Sequence, residues 1–326
     1  MINVAMLSKW HVHAEGYAKQ VRDYGATITV VWDEDPARGK AWADALGVPF
    51  EADLKACVSR ADVDAVVVDA PTTMHCEVMV AAAKAGKHIF TEKAMAPTVK
   101  ECKKIAAAVR KAGVKFLISM PQRTTPVALL AKKLIDDGTL GQISLVRIRN
   151  GHNGSSGNWL PAYWYEESTA AGGAMMDLGC HPMYTASFLL GKPSRIGSVY
   201  NTLTNKPVED NAVNVIEFAN KAVAIVETSF VTYSTPGAFE VYGTDGTLIA
   251  NGGDVKLTCK SLSEFCRGFV NVTNLPAALP SPMTLYLDAL TKDGPIPFGL
   301  DAGIALTELL ENAYIAHKQN TMVNIA

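Results

Sequence analysis

The sequence has no run of about 18 apolar residues, so no segment is long enough to span a bilayer as a helix. It also has no excess of positive charge, since 30 Lys and Arg stand against 32 Asp and Glu. A nucleic-acid or anionic-membrane surface is therefore not expected. The six cysteines include no CxxC pair, and the chain opens on an apolar strand without a basic segment and cleavage site. We expect reduced thiols in a soluble, cytoplasmic protein.

What the sequence does contain is enough apolar material, 48% of 326 residues, for two buried cores. Strands and helices alternate over roughly the first 120 residues, which predicts a doubly wound parallel sheet. Longer strands then follow one another without helices, as in an α+β domain on a mostly antiparallel open sheet. We predict an α/β protein with domains 1–121 and 122–326, whose final helix, Asp301 to His317, could pack back on the first domain.

The loop after the first strand, Ser8 to His13, lacks the glycines of a dinucleotide-binding fingerprint. Trp10 stands near the second glycine position and should obstruct or redirect a dinucleotide. What remains is a helix N-terminus, which attracts phosphate and which the Ser8 hydroxyl and Lys9 could assist. By itself this loop does not identify a cofactor.

An acidic group ends the second strand, where open α/β folds bind the adenosine ribose hydroxyls. Asp33 is the candidate, and its neighbours Glu34 and Asp35 would repel a 2′-phosphate, which favours NAD over NADP. An acidic first turn before Pro36 explains the same residues equally well.

Two later strands end in polar residues. The segment Pro71 to His75 follows the third strand and could contact a ligand. The alternative is an ordinary helix start with Thr73 as the N-cap. Glu92 and Lys93 follow the fourth, where a lysine can stabilise a developing alkoxide. A solvated lysine is the alternative.

Asp177 and His181 lie four residues apart on a predicted helix, and this spacing places both on one face. A carboxylate beside an imidazole produces a general base for an alcohol proton. The alternative is a helical hydrogen bond without a substrate. We favour a site because Met175, Met176 and Leu178 bury their side of the helix.

His11 and His13 form an HxH pair of the kind that binds metals in some hydrolases. The pair falls in a strand-to-helix turn without a matched carboxylate cluster, so we expect no metal. We interpret Trp10, His11 and His13 as lining the nicotinamide end of the site and contributing to substrate selection. A group of aromatic residues could stack on a sugar ring or belong to the core: Trp159, Tyr163, Trp164 and Tyr165.

Several segments together resemble the Gfo/Idh/MocA family, the relatives of glucose-fructose oxidoreductase and inositol dehydrogenase. They are, in order, Pro71 to His75, Ala85 to Lys93, Gly172 to His181, Glu209 to Ala212 and Tyr242 to Leu248. The resemblance implies an N-terminal Rossmann domain, a C-terminal sheet often used in oligomer contacts, and bound NAD or NADP. It implies that Lys93 touches the nicotinamide ribose and the substrate, that Asp177 supports substrate and base, and that His181 takes the hydroxyl proton.

The predicted site therefore has three catalytic residues, Lys93, Asp177 and His181, which we expect to meet around one reacting carbon. The predicted cofactor contacts are Ser8, Lys9, Trp10, His11, Asp33, Pro71, Thr72, His75, Glu92 and Lys93. The predicted substrate contacts are His13, Arg123, His152, Trp159, Tyr163 and Tyr184.

This chain departs from the family pattern at three places: the missing glycines, Ala94 in place of a proline, and Tyr184 in place of an aspartate. The last argues against a standard inositol substrate. We expect an NAD-dependent oxidoreductase, with NADP the lesser candidate, acting on a secondary hydroxyl of a sugar, sugar acid or cyclitol. Two alternatives stay open: an NAD-retaining enzyme without net redox, and a non-catalytic sugar sensor. We expect a homo-oligomer, dimer or tetramer, formed through the C-terminal sheet.

Overall fold

The computed structural model describes residues 2–235, 237–262 and 268–325. The chain forms two compact units, one from Met1–Met120 and Pro280–Thr307, the other from Pro121–Leu279 and Glu308–Ala326. The first boundary lies one residue from the predicted one. Residues 280–307 also belong to the first unit, so the part of the chain that returns begins before the predicted final helix, Asp301 to His317, and includes only the start of that helix.

The first unit contains a five-stranded parallel sheet with the strand order β2-β1-β3-β4-β5. Its central strands are apolar on both faces, which suits a parallel sheet covered by helices on each side. The strands are β1 (Asn3–Leu7), β2 (Thr27–Trp32), β3 (Ala65–Val68), β4 (His88–Thr91) and β5 (Phe116–Ile118).

The helices of this unit begin and end where local signals place them. Asp35, Asp53 and Thr98 each cap a helix by accepting a backbone N–H, and Gly47 and Gly113 end two helices in the left-handed conformation. The helices are α1 (Ala14–Asp23), α2 (Pro36–Leu46), α3 (Leu54–Ser59), α4 (His75–Lys84) and α5 (Val99–Ala112). Helix α1 begins later than the predicted Trp10, so Ser8 to His13 form a turn.

The second unit contains a nine-stranded sheet with the order β13-β12-β11-β10-β6-β9-β8-β7-β14. Among the described strand pairs of this second sheet, only β6–β9 is parallel, so the predicted mostly antiparallel sheet is confirmed. Helices α6 (Pro126–Asp136), α7 (Glu167–Ala170) and α8 (Cys180–Leu190) belong to this unit. The strands are β6 (Ile143–Gly151), β7 (Pro193–Asn201), β8 (Asn211–Phe218), β9 (Val223–Ser229), β10 (Ala238–Gly243), β11 (Gly246–Asn251), β12 (Asp254–Cys259), β13 (Val270–Asn271) and β14 (Val323–Asn324).

Two helices close the chain, α9 (Pro282–Thr291) and α10 (Leu300–Gln319). Helix α9 belongs to the first unit, where Ser281 Oγ donates to Gln20 Oε1 at 2.8 Å. In the described part of the chain no helix has the length and apolar character needed to cross a membrane. The five described cysteines form no disulfide, and Cys266 lies outside the described residues.

Candidate functional site

The turn after β1 reproduces with serine a conformation that usually needs glycine. Ser8 has φ 76°, in the left-handed region. Its N–H donates to Trp32 O at 2.6 Å, and its Oγ accepts the Trp10 N–H at 3.0 Å. These bonds compensate for the strain of a non-glycine residue at this φ. The Trp10 ring is buried.

The carboxylate of Asp33 organises the neighbouring loop at the end of β2. It accepts the N–H groups of Lys9 and Asp35, each at 2.8 Å, and pairs with Arg38 at 2.6 Å. Arg38 also pairs with Glu34. Arg38 therefore offsets the acidic charge on which the preference for NAD over NADP rested.

This edge of the sheet has a donor set that fits a dinucleotide. Asp33 lies where a carboxylate binds ribose hydroxyls, the N-terminus of α1 follows β1, and Lys9 supplies a cation beside it. Because Asp33 already accepts four hydrogen bonds from three residues, a ribose hydroxyl would have to share its oxygens.

Glu92 lies at this edge, is 1% exposed and has three hydrogen-bond partners. Its Oε1 accepts from His13 Nδ1 at 2.8 Å and from the Tyr17 hydroxyl, and its Oε2 accepts the Lys93 N–H at 2.8 Å. Burial alone would raise the pKa of Glu92, but the charges of His11 and His13 hold that pKa well below its usual range. Glu92 is therefore an anion at neutral pH.

Lys93 is also withdrawn from solvent, at 3% exposure, and its Nζ lies 3.5 Å from His11 Nε2. The His11 Nδ1 accepts the His13 N–H at 3.2 Å, so a neutral His11 carries its hydrogen on Nε2. Lys93 thus differs from the solvated lysine that the sequence left open.

The structure supplies the carboxylate that the HxH pair lacked in the sequence. Donor atoms of His11, His13 and Glu92 lie within 4.8 Å of one another. Their hydrogen bonds nevertheless account for the arrangement, because the bond at His11 Nδ1 leaves the hydrogen on Nε2, where a metal would need a lone pair.

Asp69 is a buried acid at the end of β3 that the predicted site did not include. Both of its carboxyl oxygens lack a hydrogen-bond partner among the described residues. Burial, and then the charge of Glu92, raises the pKa of Asp69 well above its ordinary value and so favours its protonated form. Its signal in the sequence was an acid directly after four apolar strand residues.

His75, a predicted cofactor contact, connects two loops through both of its ring nitrogens. Its ring nitrogens lie 2.8 Å from Ala94 O and 3.0 Å from Ala70 O, so the ring links the loops after β3 and β4. Pro71 precedes a short 3-10 turn that contains the buried Thr72. The N-cap positions of this turn and of α4 are Pro71 and Met74, so Thr73 is not the N-cap residue that was predicted.

In the second unit, Asp177 and His181 do not share one regular α-helix. Asp177 lies in a π-helical turn, Met175–Gly179, and His181 lies in the first turn of α8. The pair therefore spans a junction of π-helix and α-helix rather than one α-helix, and its position on a shared face stays a prediction.

Tyr184 holds the His181 ring. The two side chains meet at 2.8 Å between Nδ1 and the hydroxyl oxygen, which also accepts the Gln122 N–H at 3.0 Å. Tyr184, a predicted substrate contact, is buried. Its hydroxyl fixes the orientation of the imidazole.

Glu209 positions the segment that carries Asp177, and the predicted site did not include it. Its carboxylate accepts the N–H groups of Gly173, at 3.0 Å, and Met175, at 2.9 Å, and the Tyr314 hydroxyl at 2.6 Å. A Cβ on Gly173 would lie 2.0 Å from the Glu209 carbonyl oxygen. This close approach explains why glycine stands there.

His181 lines a cavity of about 420 Å³ within the second unit, together with polar residues that sequence analysis missed: Gln122, Arg149, Asn150 and Asn251. Arg149 and Asn150 lie at the end of β6, a position that could have drawn attention to them. None of the six predicted substrate contacts lines this cavity.

Two of the predicted substrate contacts, Arg123 and His152, pack against aromatic rings. The Arg123 guanidinium lies 4.6 Å from the Phe188 ring centroid, and burial lowers the pKa of Arg123. His152 stacks on Phe230 at 5.0 Å and meets Trp159 at 4.7 Å.

Burial lowers the pKa of His152, and the charge of Asp177 partly opposes this by raising the same pKa. His152 and Asp177 are therefore close enough to interact electrostatically. Trp159 is exposed, and Tyr163 is partly exposed and lies 6.3 Å from Trp164.

Two family models match most of this chain. Residues 8–120 match the oxidoreductase family model with an NAD-binding Rossmann fold, and residues 128–249 match the GFO/IDH/MocA C-terminal domain. The chain belongs to the Gfo/Idh/MocA family. The first unit of this family member is therefore an NAD-binding Rossmann domain, although the turn Ser8 to His13 contains no glycine.

Named relatives of this Gfo/Idh/MocA chain act on sugars and cyclitols. It is 29% identical over 255 residues to levoglucosan dehydrogenase of Pseudarthrobacter phenanthrenivorans, covering 69% of this chain and 65% of that protein. The chain thus spans slightly less than two thirds of that relative. It is 28% identical over 316 residues to inositol 2-dehydrogenase of Rhizobium meliloti, covering 92% of each. A solved levoglucosan dehydrogenase with NADH and levoglucosan has the same fold, with TM-score 0.88, 22% identity and 99% of each chain covered.

Proposed function

We propose that this protein is an NAD-dependent dehydrogenase that transfers hydride between a secondary hydroxyl of a sugar, sugar acid or cyclitol and nicotinamide. The observation that carries the proposal is Lys93, a lysine that is 3% exposed and follows a strand of an NAD-binding sheet. Burial of an ammonium group is unfavourable unless other groups compensate for its lost hydration. A buried lysine at this edge of the sheet therefore favours a chemical role, and stabilising the oxygen of a reacting hydroxyl is such a role.

The other catalytic roles follow the family resemblance. His181 takes the hydroxyl proton, and Asp177 supports the substrate and this base. Tyr184 supports the assignment of His181, because its hydroxyl holds Nδ1 and leaves the orientation of the ring defined.

The cofactor is held by the edge of the first-unit sheet. Asp33 binds the adenosine ribose, Ser8 and Lys9 line the phosphates, and Trp10 and His11 line the nicotinamide end. Glu92 and Lys93 serve the nicotinamide end, with the loop of Pro71 and Thr72 beside them. When bound, NAD accepts the hydride; the protein supplies orientation and charge.

The substrate is a polyhydroxylated ring or chain other than inositol. Arg123, His152, Trp159, Tyr163 and His13 are its proposed contacts. The exposed Trp159 beside His152 offers an aromatic surface of the kind that stacks on sugars. Tyr184 stands where the family pattern has an aspartate, so the carboxylate that would bind a hydroxyl of inositol is missing.

We also propose a cytoplasmic homo-oligomer, a dimer or tetramer formed through the second-unit sheet. Alternate residues of β8 are buried, and the residues between them point away from the core. Val213 and Val215 of β8 and Val199 of the neighbouring strand β7 are exposed. Exposed apolar faces of this kind commonly pack against another subunit. The free cysteines fit a reducing compartment.

The test has two steps with purified protein. First, fluorescence titration with NADH and NADPH measures cofactor binding and preference. Second, sugars, sugar acids and cyclitols are screened with NAD at the absorbance of the reduced cofactor. Net NADH formation supports the proposal. Substrate conversion without net NADH would replace it by an NAD-retaining enzyme, and ligand binding without conversion would replace it by a sensor.

A further inference from the structure

The cavity of about 420 Å³ that His181 lines has no part in the sugar contacts proposed above. It lies wholly within the second unit. Its volume falls within the range of roughly 300–1,000 Å³ that is common for small-molecule sites. Since His181 is the proposed base, a group bound in this cavity lies next to the reacting hydroxyl.

One wall of the cavity is an apolar row across four neighbouring strands, and we call it the apolar floor. The strand register pairs its members directly, from β6 through β10 and β11 to β12. Directly paired residues project to the same face of a sheet, so the four side chains form one surface. The members of the apolar floor are Ile148, Phe239, Ala250 and Val255.

The starts of α6 and α8 contribute the facing side of the cavity. Helix α8 contacts both β6 and α6. Val127 and Pro182 extend the apolar surface, whereas Thr125 and Thr185 are polar. Three residues with side-chain amides complete the polar part of the lining: Gln122, Asn150 and Asn251. An apolar surface with a few polar groups around it is typical of sites that bind an organic ligand.

The charge of the lining selects between kinds of ligand. Among the described residues that line the cavity there is no Asp or Glu, and one is an Arg. This residue, Arg149, follows Ile148 on β6, so alternation directs its side chain to the opposite face of the sheet. Its guanidinium pairs there with Glu227, its direct neighbour on β9, at 3.1 Å. The cavity therefore favours an uncharged group over a carboxylate or a phosphate.

We propose that the substrate is a neutral glycoside with an aromatic aglycone, which packs on the apolar floor while the sugar reacts beside His181. This rests on the proposed dehydrogenase function. Phe239 places an aromatic ring in the floor, and aromatic rings pack favourably on one another. The redox step is unchanged: the sugar carbon gives a hydride to NAD, its hydroxyl oxygen gives a proton to His181, and a carbonyl forms. The glycosidic bond stays intact.

The experiment compares three variants of the full chain with the wild type. Phe239→Ala removes the ring from the apolar floor, and Ala250→Phe fills part of the cavity. Ile249→Phe is the matched control for Ala250→Phe, because Ile249 is the preceding residue of β11 and projects to the opposite face. Melting temperature and NADH affinity establish that each variant is folded.

The substrates are the phenyl and methyl glycosides of glucose, galactose and xylose, each tested with NAD beside the free sugar. We expect the wild-type kcat/KM for a phenyl glycoside to exceed that for the matching methyl glycoside about 10-fold or more. Phe239→Ala and Ala250→Phe should lose this preference through a higher KM for the phenyl glycoside, with unchanged activity on the methyl glycoside. Ile249→Phe should keep it.

Two results overturn the aglycone site and leave the dehydrogenase function intact. The first is NADH formation from free sugars or methyl glycosides without a preference for phenyl glycosides. The second is a preference that either folded cavity variant retains. If no sugar or glycoside reduces NAD, the proposed function fails and the aglycone site fails with it.

Discussion

At the scale of single residues, the side chains of greatest interest are those that the fold keeps out of water although they carry charge or could carry it. Lys93, Glu92 and Asp69 are all buried at the ends of neighbouring strands. Each pays a desolvation penalty that packing alone does not require. Substituting such residues separates their chemical roles from structural ones.

Replacing Lys93 tests its role at the reacting oxygen. We expect Lys93→Met, which keeps the length of the side chain and removes its charge, to lower kcat about 10²- to 10³-fold. NADH affinity should change little, since Asp33 and the start of α1 hold the adenosine half. The control is Lys84→Met, at the end of α4. Retention of wild-type kcat in Lys93→Met would contradict the role.

Asp69 offers a test based on stability. Its pKa is raised in the folded state, so its contribution to stability is complete below the ordinary carboxyl pKa and is lost as the pH rises toward the raised value. Asp69→Asn removes the titration and should stabilise the protein by roughly 1–3 kcal/mol at pH 8, with little change near pH 4. Urea unfolding at both pH values measures this.

The exposed substitution Asp44→Asn, on α2, provides the control for that measurement, because it removes a carboxyl without changing a buried group. If Asp69→Asn and the wild type lose stability equally between pH 4 and pH 8, Asp69 is not protonated in the folded protein.

At the scale of elements, the segment from Gly172 to Gly179 depends on close backbone approach. Glu209 binds the N–H groups at its start, and Gly173 packs against the Glu209 carbonyl. The π-turn that follows carries Asp177, and π-turns occur often at functional sites. The geometry of this acid is thus set by a glycine and a distant glutamate.

Gly173→Ala should therefore disrupt this segment. The new Cβ would lie 2.0 Å from the Glu209 carbonyl oxygen, a contact that only a backbone shift relieves. We expect a loss of about 1–3 kcal/mol in unfolding free energy and a lower kcat. Gly16→Ala is the control, since its Cβ meets nothing within 4 Å and alanine favours the helix. Equal stability of the two variants would contradict this account.

At the scale of the whole molecule, the open face of the second-unit sheet is the surface that we propose for association. Val199 and Val213 are directly paired across β7 and β8, and Val199 is 63% exposed. Large apolar side chains paired on an uncovered sheet face are unfavourable in water.

We expect light scattering to give a dimer or tetramer for the wild type and a monomer for Val213→Lys, because a buried lysine would lack a partner. Leu203→Lys lies beyond the end of β7 and should leave the assembly intact. A monomeric wild type would rule out association through this face.

Sequence alone determined the parallel first sheet, the mostly antiparallel second sheet and the family, because these depend on local periodicity and on motifs contiguous in the chain. Alternating apolar strands and capped helices specify β1 to β5 within a few residues. The candidate residues Lys93 and His181 were likewise found from motifs that follow an apolar strand or a glycine pair.

Tertiary structure decided which of these groups contact one another. The return of α9 to the first unit, the bonds of Glu92 to His13 and Tyr17, and the support of Gly173 by Glu209 join residues far apart in sequence. Burial and charge at such contacts set the protonation of Asp69 and Glu92. No periodicity encodes these pairings, because they arise only when strand order and loop conformation bring the side chains together.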